Sequence, residues 1–305
     1  MADSSGRYDI VILGGGSGGY ACALRAAELG KKVALIEKDR VGGTCLHRGC
    51  IPTKALLHAA EIADQANRAG AFGVRARFDG IDMAGVNAYK DKVVDRLWKG
   101  LQSTIASRQV DVVYGEGRLL SPTSVGVGGD VYEGGHAVLA TGSQPNSLPG
   151  LAIDGQRVIS SDHALTLDRV PGSVVILGGG AIGVEFASVR RSFGAEVTIV
   201  EMLPHLLSAE EESSSMLLER ALRRRGISYQ VGARFEGVKE SDEGITVTLE
   251  AARPSTPSYC CWRRGAPRCR RAWATRPPGS PWTAGSCRWT GTAGPAFRPY
   301  RRWVT

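Results

Sequence analysis

The chain has 305 residues, 43% of them hydrophobic, enough for about two domains with buried cores. Its formal charge of +8 is uneven: Arg253 to Thr305 holds 11 Arg, no Lys and none of the 30 acidic residues, so everything before it is mildly acidic. A basic nucleic-acid-binding body is therefore excluded, and so is a disulfide-rich secreted scaffold, because only Cys22, Cys45 and Cys50 precede residue 253.

Met1 to Arg7 has no basic leader and no apolar run reaches membrane length, so a cytoplasmic protein with no membrane partner is expected. Asp9 to Leu13 reads as a buried strand, Gly14 to Gly19 as a tight turn, Tyr20 to Leu29 as a helix, and Lys32 to Ile36 as a strand closed by Glu37. In Gly14-x-Gly16-x-x-Gly19 the missing side chains let backbone N–H groups approach a pyrophosphate at a helix N-terminus, and Glu37 is placed to bind a ribose diol. Cys22, among small helical residues, reads as packing.

Gly42 to Lys54 then sets Cys45 and Cys50 with four residues between them. Paired thiols shortly after a nucleotide turn point to a redox disulfide linked to a flavin rather than to structure. Pro52, at the start of an Ala-rich helix over Ala55 to Ala69, puts a helix N-terminus beside Cys50, where partial positive charge favours thiolate. Lys54 adds a cation suited to stabilising charge on a reduced flavin.

Lys90 to Ser107 carries Val94, Leu97, Leu101 and Ile105 at helical spacing, a stripe expected in the core. Asp111 to Leu120, Val125 to Val127 and His136 to Ala140 read as strands, and Asn146 to Pro171 as a connector. Ser173 to Glu201 repeats the opening pattern: strand, Gly178-x-Gly180-x-x-Gly183, helix, strand and acidic residue, with 23 residues from Gly178 to Glu201 as from Gly14 to Glu37. The chain thus holds two βαβ dinucleotide modules. Glu201 would repel a 2′-phosphate, which favours NAD over NADP. Glu185, just inside the second helix, would oppose a pyrophosphate and needs a partner such as Lys54. Val238 to Glu240 and Ile245 to Leu249 read as a hairpin turned at Asp242-Glu243-Gly244.

These motifs, with Ala140-Thr141-Gly142-Ser143-Gln144-Pro145, resemble the pyridine nucleotide–disulfide oxidoreductases over about residues 7 to 250, on the dihydrolipoyl dehydrogenase branch. Ile51-Pro52-Thr53-Lys54 is similar to that branch, whereas the glutathione and mercuric reductases usually carry a Val-Pro run there. His47-Arg48 stands where Asn-Val is commoner. The resemblance implies an α/β fold with two Rossmann-like domains: residues 1–147 binding FAD, residues 148–252 binding NAD, both incomplete. It places FAD on Gly14, Gly16, Gly19, Glu37, Gly43, Thr44, Lys54, Gly117 and the Thr141-Gly142-Ser143 turn, and NAD on Gly178, Gly180, Ile182, Gly183, Glu185 and Glu201. It also implies dihydrolipoamide, carried on a 2-oxo acid dehydrogenase complex, exchanging with Cys45. Cys50 would face the flavin, Lys54 and Glu185 would pair beside it, and electrons would pass through FAD to NAD⁺. Relatives are homodimers.

No further family motif is legible after Ala252; the His–Glu base and the dimer domain are expected to be missing. His205 to Glu210 mimics that base but lies in the wrong region. The composition of residues 253–305 suits GC-rich DNA read out of frame, so a frameshift near residue 251, a disordered tail and little lipoamide turnover are expected. A nucleic-acid or anionic-membrane role for that tail is disfavoured, since it lacks helical periodicity and any RNA- or DNA-binding signature.

Overall fold

A computed structural model describes residues 7–241, 244–250 and 259–262. The first sheet contains β1 (Tyr8–Leu13), β2 (Val33–Glu37), β3 (Asp111–Tyr114), β4 (Gly117–Ser121), β5 (Ser124–Val127) and β6 (Asp130–Leu139), in the order β3-β2-β1-β6-β5-β4. Strands β3, β2, β1 and the second half of β6 run parallel, while β4, β5 and the first half of β6 form an antiparallel meander. The apolar runs of β1 and β2 follow from burial on both faces. Ile12, Val33 and Leu35 pack under helix α1 (Ser17–Glu28), and Val11, Leu13 and Ile36 pack against Val125 of the meander.

After β2 come the short helix α2 (Gly43–Arg48), α3 (Cys50–Arg68) and α4 (Met83–Ser107). The second sheet contains β7 (Val158–Ser160), β8 (Ser173–Leu177), β9 (Glu196–Val200), β10 (Ser228–Gln230) and β13 (Tyr259–Trp262), ordered β10-β9-β8-β13-β7. Helices α5 (Ser161–Ala164), α6 (Ala181–Ser192) and α7 (Glu212–Arg224) belong to this half, and the hairpin of β11 (Phe235–Ser241) and β12 (Gly244–Leu249) covers its other face with Ile245, Val247 and Leu249. Helix α3 lies at the seam: its Leu56 and Ala60 share one apolar cluster with Ile176, Phe186 and Ile199 of the second half.

Several expectations change. Helix α1 starts at Ser17 and α6 at Ala181, so the third glycine of each motif is helical rather than in the turn. The segment Asp111 to Leu120 breaks at Gly115, whose φ of 157° separates two strands that pair in opposite senses. The connector after residue 146 supplies β7 and α5. Helix α4 begins seven residues early, and Leu97 is 41% exposed rather than in the core; Ile105 is buried, and Trp98 packs with Leu101 against the first sheet. This is the geometry of a helix lying on the surface, where only one side of a wide stripe reaches the core.

Residues 259–262 fall inside the segment expected to be disordered, yet they form β13, parallel to both β8 and β7. Ladder pairing uses backbone groups, and Tyr and Trp are strand-favouring types, so an Arg- and Pro-rich surrounding does not prevent it. The rest of the Arg-rich tail and the hairpin residues Asp242 and Glu243 lie outside the described residues.

Candidate active site

The two glycine turns are built alike. A Cβ on Gly14 (φ 105°) would lie 2.2 Å from the Ala140 carbonyl oxygen and 3.1 Å from the Thr141 Cα, where the chain leaves β6. Thr141 is half-buried behind the turn, and Gly142 (φ 69°) and Ser143 are exposed beyond it. On Gly19 a Cβ would lie 1.8 Å from the Gly14 oxygen, and on Gly183 it would lie 2.0 Å from the Gly178 oxygen. Both helices begin on a glycine N-cap, Gly16 or Gly180, with no side-chain cap and no acid in the first turn. Their first N–H groups and positive dipole ends are left for an anion. Open space around Gly180 and a nearest neighbour 3.8 Å from a Cβ on Gly16 leave room for one. The turns therefore fit the pyrophosphate of a dinucleotide.

Each acidic residue closes its own turn. Glu37 accepts from Gly15 N–H at 2.7 Å and Asp39 N–H at 2.9 Å, and Glu201 accepts from Gly179 N–H at 2.7 Å and Leu203 N–H at 2.8 Å. Each carboxylate oxygen keeps a second acceptor site for a ribose. Gly117, at the start of β4, is buried, and a Cβ there would strike Leu13 at 2.5 Å, so its glycine serves packing. Ile182 is half-buried against the second core.

Gly42 and Gly43 bring the thiols to the first turn. Gly42 N–H donates to Gly15 oxygen at 2.8 Å, and a Cβ on Gly43 (φ 57°) would lie 2.6 Å from Gly16 Cα. Thr44 follows, exposed, and Cys45 sits within α2. Cys50 is the first residue of α3, and Pro52 is its third rather than preceding it, a position proline tolerates in a first turn. Gly49 closes the link, since a Cβ there would be 3.5 Å from Cys45 Cα. Both cysteines are free thiols, Cys45 half-buried and Cys50 exposed. Burial, then the hydrogen bond and charge of Cys50, push the Cys45 thiol up, while the Lys54 ammonium pulls it down.

Lys54 Nζ donates to Glu185 Oε1 at 2.6 Å, joining α3 to α6 across 131 residues. This bond raises the Lys54 pKa, so Lys54 stays charged through neutral pH. Lys54 is 58% exposed and Glu185 23%, so the pair contributes at most about 1 kcal/mol to stability, and its value lies in placing a charge. Lys54→Met is expected to move iodoacetamide modification of Cys45 to higher pH, because the cation that favours thiolate is gone. Peptide mass spectrometry across pH reads the profile.

Sequence reasoning missed several residues here. His47 hydrogen-bonds the Val41 carbonyl at 2.9 Å and meets Trp98 edge-on, and Arg40 lies over the same indole, so His47 anchors α2. His205 pairs with Glu212 at 3.4 Å rather than with Glu210, and its neighbour Leu207 caps the second turn, donating to Gly179 oxygen at 2.9 Å. Gly42 does the same for Gly15, a correspondence visible only once both turns are folded. Among the described residues no helix is long and apolar enough to cross a membrane, and no His, Cys, Asp and Glu cluster could hold a metal.

The family model described as pyridine nucleotide-disulphide oxidoreductase matches residues 8–266. Dihydrolipoyl dehydrogenase of Bacillus subtilis is 42% identical over 258 residues, covering 80% of this chain and 54% of that protein. Leghemoglobin reductase of Vigna unguiculata is 39% identical over 259 residues, covering 83% of this chain and 50% of that protein. Among solved structures, the HOCl-induced flavoprotein disulfide reductase RclA from Escherichia coli superposes with a TM-score of 0.73 at 30% identity, covering 87% of this chain and 58% of that one. The chain spans about half the length of the curated relatives it matches. FAD and NAD are the cofactors of proteins of this kind, and two turns of dinucleotide shape are what that requires. Two such turns, a thiol pair docked on the first and a match running through both sheets make this chain a member of the pyridine nucleotide-disulphide oxidoreductase family, the flavin-linked disulfide reductases.

Proposed function

We propose that the chain carries the thiol–disulfide exchange centre of a dihydrolipoyl dehydrogenase. The supporting observation is a thiol pair docked on the Gly14 turn through Gly42 and Gly43, with Lys54, one turn after Cys50, bonded to Glu185 of α6. FAD would be held by Gly14, Gly16, Gly19, Glu37, Gly43, Thr44 and the Thr141 to Ser143 turn, with Lys54 near its ring and Gly117 packed behind. NAD would be held by Gly178, Gly180, Ile182, Gly183 and Glu201, with Glu185 neutralised by Lys54.

In the exchange, a thiolate of dihydrolipoamide attacks the Cys45 sulfur of a Cys45–Cys50 disulfide and releases the Cys50 thiolate. The second substrate sulfur, losing its proton, displaces Cys45 and leaves oxidised lipoamide and a protein dithiol. Lys54, one turn along from Cys50, stabilises the released thiolate, and the start of α3 adds its dipole. The chemistry that bound FAD and NAD⁺ supply is acceptance of that electron pair. Cys50 is the more exposed thiol, so giving Cys45 to the substrate rests on the family pattern. The lipoyl group would be presented by a 2-oxo acid dehydrogenase complex.

Nucleotide choice tests the second turn. Glu201→Ser removes the charge opposing a 2′-phosphate and also the bonds to Gly179 and Leu203, so affinity for both nucleotides falls. The preference for NADH over NADPH is expected to drop at least about tenfold in fluorescence titrations, a 1.4 kcal/mol change. An unchanged ratio would remove Glu201 from the nucleotide site.

A further inference from the structure

The two thiols stand on different helices, and the second of these also reaches across to the other half of the molecule. Cys45 rides on α2, which is fixed to the first half by Gly42 N–H on Gly15 oxygen, by Gly43 against Gly16 and by His47 on Val41. Cys50 opens α3, and α3 is fixed to the second half at two points. Near its start is Lys54–Glu185; ten residues on, about 15 Å along the helix, Asp64 accepts from Ser192 Oγ at 2.9 Å and from Arg225 Nη2 at 3.0 Å. Arg225, the C-cap of α7, also donates to Ser192 Oγ at 2.6 Å and to Ser188 Oγ. Its carbonyl accepts from Arg191 Nε at 2.8 Å. Between the two points lie Leu56 and Ala60, which sit in the apolar cluster of the second half and, making no directional bond, do not by themselves single out one axial position. The fork of Arg225 on Asp64 and the two serines is directional and fixes the axial position of α3.

We infer that Asp64 and Arg225 are positioning residues for the thiol pair: by holding α3 in register against α6 and α7 they set where Cys50 stands relative to Cys45. This rests on the proposed redox role of the pair. A disulfide tolerates only a narrow range of Cα and Cβ separations, so loosening the register disfavours closure. Neither residue touches the substrate or cofactor positions proposed above.

The test uses the full chain equilibrated with glutathione buffers. Oxidised glutathione takes two electrons and two protons from Cys45 and Cys50, yielding two glutathione thiols and the Cys45–Cys50 disulfide. Quenched alkylation and peptide mass spectrometry give the disulfide fraction, and thus the equilibrium constant. Asp64→Asn and Arg225→Leu are each expected to shift it about tenfold towards the dithiol, about 30 mV, and the double variant little further. Glu61→Gln, on an exposed face of α3, should stay within about twofold. If Asp64→Asn does not unfold cooperatively, Arg225→Lys, which keeps the charge and loses the fork, replaces it with the same expectation. A constant within about twofold of the parent in both latch variants, or a shift towards the disulfide, overturns the inference even if thermal stability falls. A parent chain that forms no Cys45–Cys50 disulfide in any buffer instead overturns the proposed redox function.

Discussion

Gly19→Ala is expected to unfold the first nucleotide turn, while Gly18→Ala, one residue away, leaves the fold intact. A Cβ on Gly19 would sit 1.8 Å from the Gly14 oxygen and 2.9 Å from its carbonyl carbon, and both are backbone atoms with nowhere to go. Gly14 N–H is itself held by Ile36 oxygen at 2.8 Å, and its own Cβ space is taken by Ala140, so the turn has no free direction in which to yield. Overpacking of this kind costs about 1–3 kcal/mol where side chains can shift, and more where the obstacle is main chain. Gly18 has nothing within 4 Å and is helical, so alanine there is neutral or gains about 0.5–1 kcal/mol. Urea unfolding midpoints of the two variants, with flavin content of the purified chains, separate them. Equal midpoints would mean that the turn is not packed as described.

Cys50→Ser and Cys45→Ser are each expected to remove at least about 10³-fold of the exchange with dihydrolipoamide, because a hydroxyl neither forms the disulfide nor leaves as an anion at neutral pH. The oxidised parent should convert one equivalent of dihydrolipoamide with no nucleotide present, which isolates this step from later electron transfer. Cys22→Ser is the internal control. Cys22 lies on α1, packs beside the first core, and has its thiol pushed up by burial, so its loss should leave exchange within about twofold. If Cys22→Ser were as damaging as Cys50→Ser, the effect would come from folding rather than from the pair.

What could be read from the sequence was local. Gly14, Gly16 and Gly19, with Glu37 at a fixed distance, report a turn whose geometry depends on neighbours in sequence, and the second copy repeats that signal at Gly178 to Glu201. The Lys54–Glu185 bond was foreseeable because a carboxylate at a phosphate-binding helix end needs a cation and the family pattern supplied one. The latch of Asp64, Ser192 and Arg225 had no such cue: its members are 128 and 161 residues from Asp64, and each is an ordinary surface type until α3 docks on α6. Strand β7 hid among prolines and glycines at three residues long. Strand β13 hid in a segment whose composition argues against a core, and pairing of its backbone with β7 and β8 is a tertiary event. Leu97 misled because helical periodicity shows a stripe and not how much of it a neighbour covers.

Anaerobic titration of the flavin-loaded full chain with dihydrolipoamide tests the proposed function most directly. The flavin spectrum should shift with one equivalent of dihydrolipoamide, as the Cys50 thiolate is released beside the flavin, and stay unchanged in Cys50→Ser. A flavin-loaded parent chain whose spectrum dihydrolipoamide leaves unaltered would contradict it.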